Sequence, residues 1–154
     1  MPQNEIQFRA ATEADLVAIV DMLADDEIGR TRELPGEPLA KSYTMAFRAM
    51  HEDPKHILAV AVDIDTVVGT LQVSFIPGMA RTGMWRGQIE AVRIAPAYRN
   101  GGLGREMFEW AIAQCRERGC GLVQLTTDKG RPDAHRFYES LGFEASHEGY
   151  KLRL

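Results

Sequence analysis

Arg99-Asn100-Gly101-Gly102-Leu103-Gly104 lies between a short apolar run, Ile89 to Ile94, and a long amphipathic stretch, Leu103 to Arg118. The order reads strand, glycine-rich turn, helix. The first N–H groups of a helix have no carbonyl partner within it. With the positive end of the helix dipole they form a site for a phosphate or pyrophosphate. Glycine permits positive φ and a close approach of the anion to the backbone. Two other phosphate-binding strings are missing. The chain has no Gly-x-x-x-x-Gly-Lys-Ser/Thr, and Gly101, Gly102 and Gly104 do not fit Gly-x-Gly-x-x-Gly. By itself the hexapeptide also reads as a plain connector.

Working outward, the chain alternates strand and helix signals. Glu5 to Ala10 reads as a strand, and Thr12 caps a helix from Glu13 to about Ala24 with Leu16, Ile19, Val20 and Leu23 on one face. Asp25 to Pro38 reads as a loop and Leu39 to His51 as a second helix. His56 to Val62 and Val67 to Ile76 are strands joined by a tight turn at Asp63-Ile64-Asp65. Pro77 to Gly87 is a loop, Gln88 to Ala95 a strand, and Gly102 to Arg118 the helix after the glycine turn. Leu122 to Thr126 is a strand and Pro132 opens a helix to about Leu141. Phe143 to Ala145 and Tyr150 to Leu154 are expected as closing strands. This interleaving predicts a mixed sheet covered by helices, in one domain over residues 1–154.

Composition narrows the function classes. A chain of 154 residues suits a single domain with a sizeable core. Net charge is −4 without a long basic block, which gives a nucleic-acid partner little support. No apolar run reaches the length of a membrane span, and the first residues lack the apolar core of a signal peptide. A cytoplasmic location is therefore expected. Cys115 and Cys120 read as reduced rather than bridged. The four histidines show no metal-ligand spacing, so no metal site is expected.

Arg99-x-x-Gly102-x-Gly104 resembles the acetyl-CoA signature of the GNAT superfamily of N-acetyltransferases, Gln/Arg-x-x-Gly-x-Gly/Ala. Val92-Arg93-Ile94-Ala95-Pro96-Ala97-Tyr98 resembles the strand and Pro-containing turn that lead into it. Ala134-His135-Arg136-Phe137-Tyr138, followed by Leu141-Gly142-Phe143, resembles a second hallmark, Ala-x-x-Phe/Leu-Tyr-x-x-x-Gly-Phe. Phe8 to Leu16 is similar to the family's opening strand and first helix. Asp133 to Tyr138 with Ser146-His147 is also similar to aminoalkylphosphonate acetyltransferases. The resemblance implies an α/β (α+β) fold with a mixed, mostly antiparallel sheet of about six to seven strands flanked by about four helices. It also implies acetyl-CoA as co-substrate and, for members of this size, a homodimer.

Acyl transfer needs a proton acceptor for the amine, a proton donor for the departing thiolate and an N–H donor for the carbonyl oxygen. Glu90, inside the otherwise apolar Ile89-Glu90-Ala91-Val92, is the candidate base, acting on the amine through water as the resemblance implies. It also reads as a solvated strand residue or an ion-pair partner of Arg93. Tyr138 is the candidate acid by resemblance, and its helix ridge equally makes it a core aromatic. Backbone groups around Arg93, from Val92 and Ile94, are implied to pair with the pantetheine amides, like an added strand. Arg99, Asn100, Gly101, Gly102, Leu103, Gly104 and Arg105 are implied to surround the pyrophosphate. Many relatives carry Asn where this chain has Arg131, so Arg131 either contacts a cofactor phosphate or that contact is missing. Asp25-Asp26-Glu27 would attract a cationic amine, whereas Arg30 and Arg32 would favour an acceptor with an acid group. Trp85 reads as an interface, acceptor-site or half-buried aromatic residue.

The expected activity is direct acetyl transfer from acetyl-CoA to the primary amine of a small molecule, since no cysteine lies beside the cofactor strand to carry an acyl group. The alternatives are acetylation of a protein N-terminus or lysine, and an acyl-CoA-binding sensor module without turnover.

Overall fold

A computed structural model of the chain describes residues 5–154. Five strands form one sheet in the order β1 (Gln7–Ala10), β2 (His56–Asp63), β3 (Thr66–Ile76), β4 (Arg86–Ile94) and β5 (Leu122–Gln124). The first three pairings are antiparallel and β4 pairs with β5 in parallel. The helices are α1 (Leu16–Ala24), α2 (Lys41–Glu52), a single turn α3 (Ala80–Gly83), α4 (Leu103–Glu117) and α5 (Pro132–Ser140). A short 3-10 segment, Gly29–Thr31, sits in the loop between α1 and α2.

The β-period sorts the side chains to two faces. Ala59, Ala61, Leu71, Val73, Phe75 and Ile89 pack against Leu103, Met107, Phe108 and Ala111 of α4. Val60 and Val62 pack against Leu16 and Ile19 of α1 and Phe47 of α2. The sheet is thus a middle layer, with α1 and α2 on one face and α4 and α5 on the other. Phe108 is fully buried, which contributes about 1.5–3 kcal/mol to stability. Gly87 of β4 faces Cys115 so closely that a Cβ there would collide with its Sγ. That approach seats α4 directly on the strand that carries the site. Both cysteines are free thiols.

The mixed α/β class holds, but the sheet has five strands rather than six to seven. Phe143 to Ala145 and Tyr150 to Leu154 form no strand. A strand exists only when a ladder partner takes up its backbone groups. The alternating segment Tyr150 to Leu154 meets no such partner among the described residues, and Tyr150 and Leu152 remain 89% and 86% exposed. The opening helix also starts later than expected. Glu13–Asp15 is a 3-10 turn, because the Asp15 carboxylate folds back to accept the Thr12 N–H at 2.8 Å and is gripped by Arg9 at 2.7 Å. The β2–β3 hairpin turns at Ile64, whose φ is 55°.

Candidate functional site

The site begins with a slip in the alternation of β4. Thr70 pairs with Arg93 and Gln72 pairs with Glu90, so between these pairs one residue on β3, Leu71, faces two on β4, Ala91 and Val92. The extra residue is Ala91, held at φ 54°. This is a β-bulge, which re-aims every side chain beyond it. Ile89 points to the α4 face, and after the bulge Val92 and Ile94 point there too. Arg93 is left on the opposite face, beneath the loop that follows α1. Glu90 and Gln72, directly opposite across the strands, share that face.

The same strand has an open edge. The β4–β5 ladder runs only from Arg86–Leu122 to Gln88–Gln124, whereas β4 continues to Ile94. From Ile89 onward, that edge has no strand partner among the described residues. The strand then delivers the chain through Pro96–Tyr98 to the glycine turn. Asn100 and Gly102 both take positive φ, 63° and 90°, and Gly102 is the residue before the first turn of α4. No side chain caps that helix. Gly102 accepts at its carbonyl from the Glu106 N–H, so the helix proper begins there with its first amides unpaired by the helix itself. A Cβ placed on Gly104 would lie 3.7 Å from Phe137 and 3.9 Å from Ile94. The start of α4, the end of β4 and α5 therefore converge. An open strand edge followed by a row of free amides fits an extended amide-bearing arm ending in a diphosphate.

The arginines of this region make protein contacts. Arg99 donates to the Ile94 carbonyl at 3.1 Å and stands 3.5 Å from Asp25. Arg105 reaches the Ser140 hydroxyl at 3.0 Å, at the end of α5. Arg131 turns instead to Asp26, at 3.3 Å, and meets Arg93 there, which approaches the same carboxylate oxygen at 3.1 Å. Asp26 also accepts the Gly29 N–H. Burial works to raise the Asp26 carboxyl, but the Gly29 N–H and the two arginines outweigh it and hold it below the ordinary carboxylate value. Burial likewise pushes Arg93 down; Asp26 opposes this, and the nearby charges of Arg131 and Arg32 add to it.

Tyr138 lies on α5, half-buried among aromatic rings. Phe108 and Phe143 meet it edge-on at 5.6 and 6.2 Å between centroids. Burial raises its hydroxyl pKa, with Arg131 and Arg93 pulling the other way. The ring packs in the core as the ridge pattern predicts, while its tip feels the two cations across the site. Glu90 is exposed, and the Arg93 it stood near in sequence is paired with Asp26 instead. His135, on the same helix as Tyr138, is engaged by the Asp128 carbonyl at 3.0 Å. Trp85 is 38% exposed. A cavity of about 110 Å³ lies between α1, α2 and the sheet, bounded by Leu16, Ile19, Tyr43, Phe47, Gln72 and the bulge residue Ala91.

Two features were not anticipated from the sequence: the bulge at Ala91 and the junction of Asp26 with Arg93 and Arg131. The first left a trace. The apolar residues Ile89, Val92 and Ile94 change phase by one, which a regular strand does not do. The second left none, because Asp26 and Arg131 are 105 positions apart. Among the described residues, no group of three His, Cys, Asp or Glu could hold a metal ion, and no helix is long and apolar enough to cross a membrane.

Comparison with known proteins gives a consistent answer. The profile of the Acetyltransferase (GNAT) family matches residues 17–143. Over 148 residues the chain is 36% identical to an aminoalkylphosphonate N-acetyltransferase of Salmonella typhimurium, covering 96% of this chain and 89% of that one. It is 29% identical over 153 residues to a glucosamine 6-phosphate N-acetyltransferase of Trypanosoma brucei brucei, covering 97% of each. The solved structure of a transcriptional regulator from Bacillus halodurans superposes with a TM-score of 0.94 at 50% identity, covering 97% of this chain and all of that one (100%).

Proposed function

Because the chain belongs to the GNAT acetyltransferase family and is an acetyl-CoA-dependent N-acetyltransferase, we propose that it transfers acetyl directly to the primary amine of a small molecule. The observation that carries this reading is the open edge of β4 running into the uncapped start of α4, with Tyr138 packed against the same core.

Acetyl-CoA supplies the activated thioester. Backbone groups of Val92 and Ile94 hold its pantetheine arm along the β4 edge, and the amides from Gly101 to Arg105 hold the diphosphate. Arg99 exchanges its contacts with Ile94 and Asp25 for a phosphate. Holding both reactants at the bulge supplies much of the acceleration, up to about 7–11 kcal/mol in well-oriented systems. Glu90, exposed on β4, withdraws a proton from the amine through water. The Tyr138 hydroxyl gives its proton to the departing thiolate. A buried phenol stays protonated at neutral pH and is available for that step.

The test is thiol release from acetyl-CoA across a panel of small amines, with Tyr138→Phe and Glu90→Gln alongside. The reading expects turnover that falls with both substitutions. The likeness to a transcriptional regulator favours a second reading, an acyl-CoA-binding module without catalysis. Tight acetyl-CoA binding with no turnover on any amine would establish that reading instead. Turnover on peptides alone would redirect the assignment to protein acetylation.

A further inference from the structure

On the face of β4 that carries Arg93, two guanidiniums converge on one carboxylate. Asp26 is shared by Arg93, Arg131 and the Gly29 N–H. Glu33 accepts the Tyr43 hydroxyl at 2.7 Å and faces Arg32 at 3.8 Å. Two guanidiniums, those of Arg93 and Arg131, thus share the single Asp26 carboxylate, with Arg32 nearby held by Glu33. The Arg93 side chain is only 15% exposed, and its Nε is buried without a hydrogen-bond partner. A half-buried cation with an unused donor and cationic neighbours is unfavourable alone and becomes complementary when an anion arrives. The charge of both arginines reaches the Tyr138 hydroxyl. Positive charge and the proton donor therefore share one end of the site.

Resting on the amine-acetylation reading above, we propose that Arg93 and Arg131 together recognise a tetrahedral oxyanion, a phosphonate or phosphate ester, carried by the acceptor amine. The structure also resolves the conflicting hints of the loop after α1. Asp26 is neutralised by two arginines, so the carboxylate beside Arg93 is not free for a cation. Each guanidinium is a rigid fork with five N–H donors, and the contact with Asp26 uses only part of each. A tetrahedral oxyanion accepts from two forks at once, whereas a planar carboxylate matches one. Arg131 thereby serves the acceptor rather than a cofactor phosphate.

Thiol release is measured with 2-aminoethylphosphonate, O-phosphoethanolamine, β-alanine and propylamine. At least one of the two oxyanion amines should exceed propylamine in kcat/KM by about 100-fold, the scale of charge-assisted hydrogen bonds, with β-alanine between them. Whichever of the two is faster identifies the phosphonate or the ester as the source. Inorganic phosphate should compete with the amine and not with acetyl-CoA. Arg131→Gln, at a position 39% exposed, should lower the ratio of oxyanion-amine to propylamine kcat/KM by about tenfold or more while circular dichroism stays wild-type. Equal kcat/KM for propylamine and the oxyanion amines, phosphate competing only with acetyl-CoA, or an unchanged ratio in a folded Arg131→Gln overturns the proposal and leaves amine acetylation standing. If Arg131→Gln fails to fold, the wild-type comparisons decide alone. No thiol release with these or any other amine overturns both.

Discussion

The Arg93 guanidinium reaches the Asp26 carboxylate, at 3.1 Å, because Ala91 adds one residue to β4. Were β4 regular through Ala91, with no bulge, Arg93 would share the face of Ile89, and a cation would enter the packed layer beneath α4. The bulge thus does two things at once. It interrupts the β3–β4 ladder, and it moves one charge to the side where the loop after α1 supplies its partner.

Removing the partner should expose that dependence. Asp26→Ala leaves Arg93 and Arg131 facing each other without a counter-charge and leaves the Gly29 N–H unpaired. Unfolding free energy should fall by about 1–3 kcal/mol, measured by urea denaturation. Arg93→Met, which removes the buried charge and keeps the stem, should cost less than Asp26→Ala.

Tyr138→Phe separates the two roles of that side chain. The ring contacts with Phe108 and Phe143 persist, so the melting temperature should stay near wild type. The loss of a proton donor should lower kcat by about 100-fold or more with little change in KM for acetyl-CoA. Burial places the hydroxyl pKa above its ordinary 10.0, so the phenol keeps its proton as the medium turns alkaline. Any decline in rate caused by its ionisation should therefore have its midpoint above pH 10, read from a kcat–pH profile of the folded enzyme.

Asp15 links stability to acid. Arg9 and the Thr12 N–H and hydroxyl hold its carboxyl below the ordinary 3.8, against the opposing effect of burial. A carboxyl with a lowered folded pKa contributes stability that is fully present above the unfolded value and is lost as pH falls through the folded one. The Asp15 contribution should thus be intact above pH 3.8 and vanish below it. Asp15→Ala should cost about 1–2 kcal/mol at pH 7 and much less in strong acid, by thermal unfolding across pH.

Gly102→Val tests the anion site. A β-branched residue at φ 90° is strained by about 1–3 kcal/mol. The melting temperature should fall, and acetyl-CoA affinity by calorimetry should weaken at least about tenfold as the amides lose their arrangement.

The strand–turn–helix order around Gly102 and the ridge bearing Tyr138 were legible because each rests on local physics. Periodicity declares which residues face a core, and a glycine before a helix declares where its free amides begin. The helices from Lys41 and Leu103 start within two residues of their expected positions for the same reason. The closing strands were not legible. Alternation at Tyr150 to Leu154 states a capacity to pair, and pairing depends on whether another strand is within reach.

The sequence by itself determined the mixed fold class, the glycine turn and the family to which the chain belongs. Those follow from contacts between near neighbours and from short motifs. Only the tertiary structure decided that Arg93 and Arg131 converge on Asp26, and that Glu90 stands exposed without pairing to Arg93. Charge meets charge there across 105 positions, through the packing of α1, α5 and the sheet, and through one extra residue in β4 that no single local preference specifies.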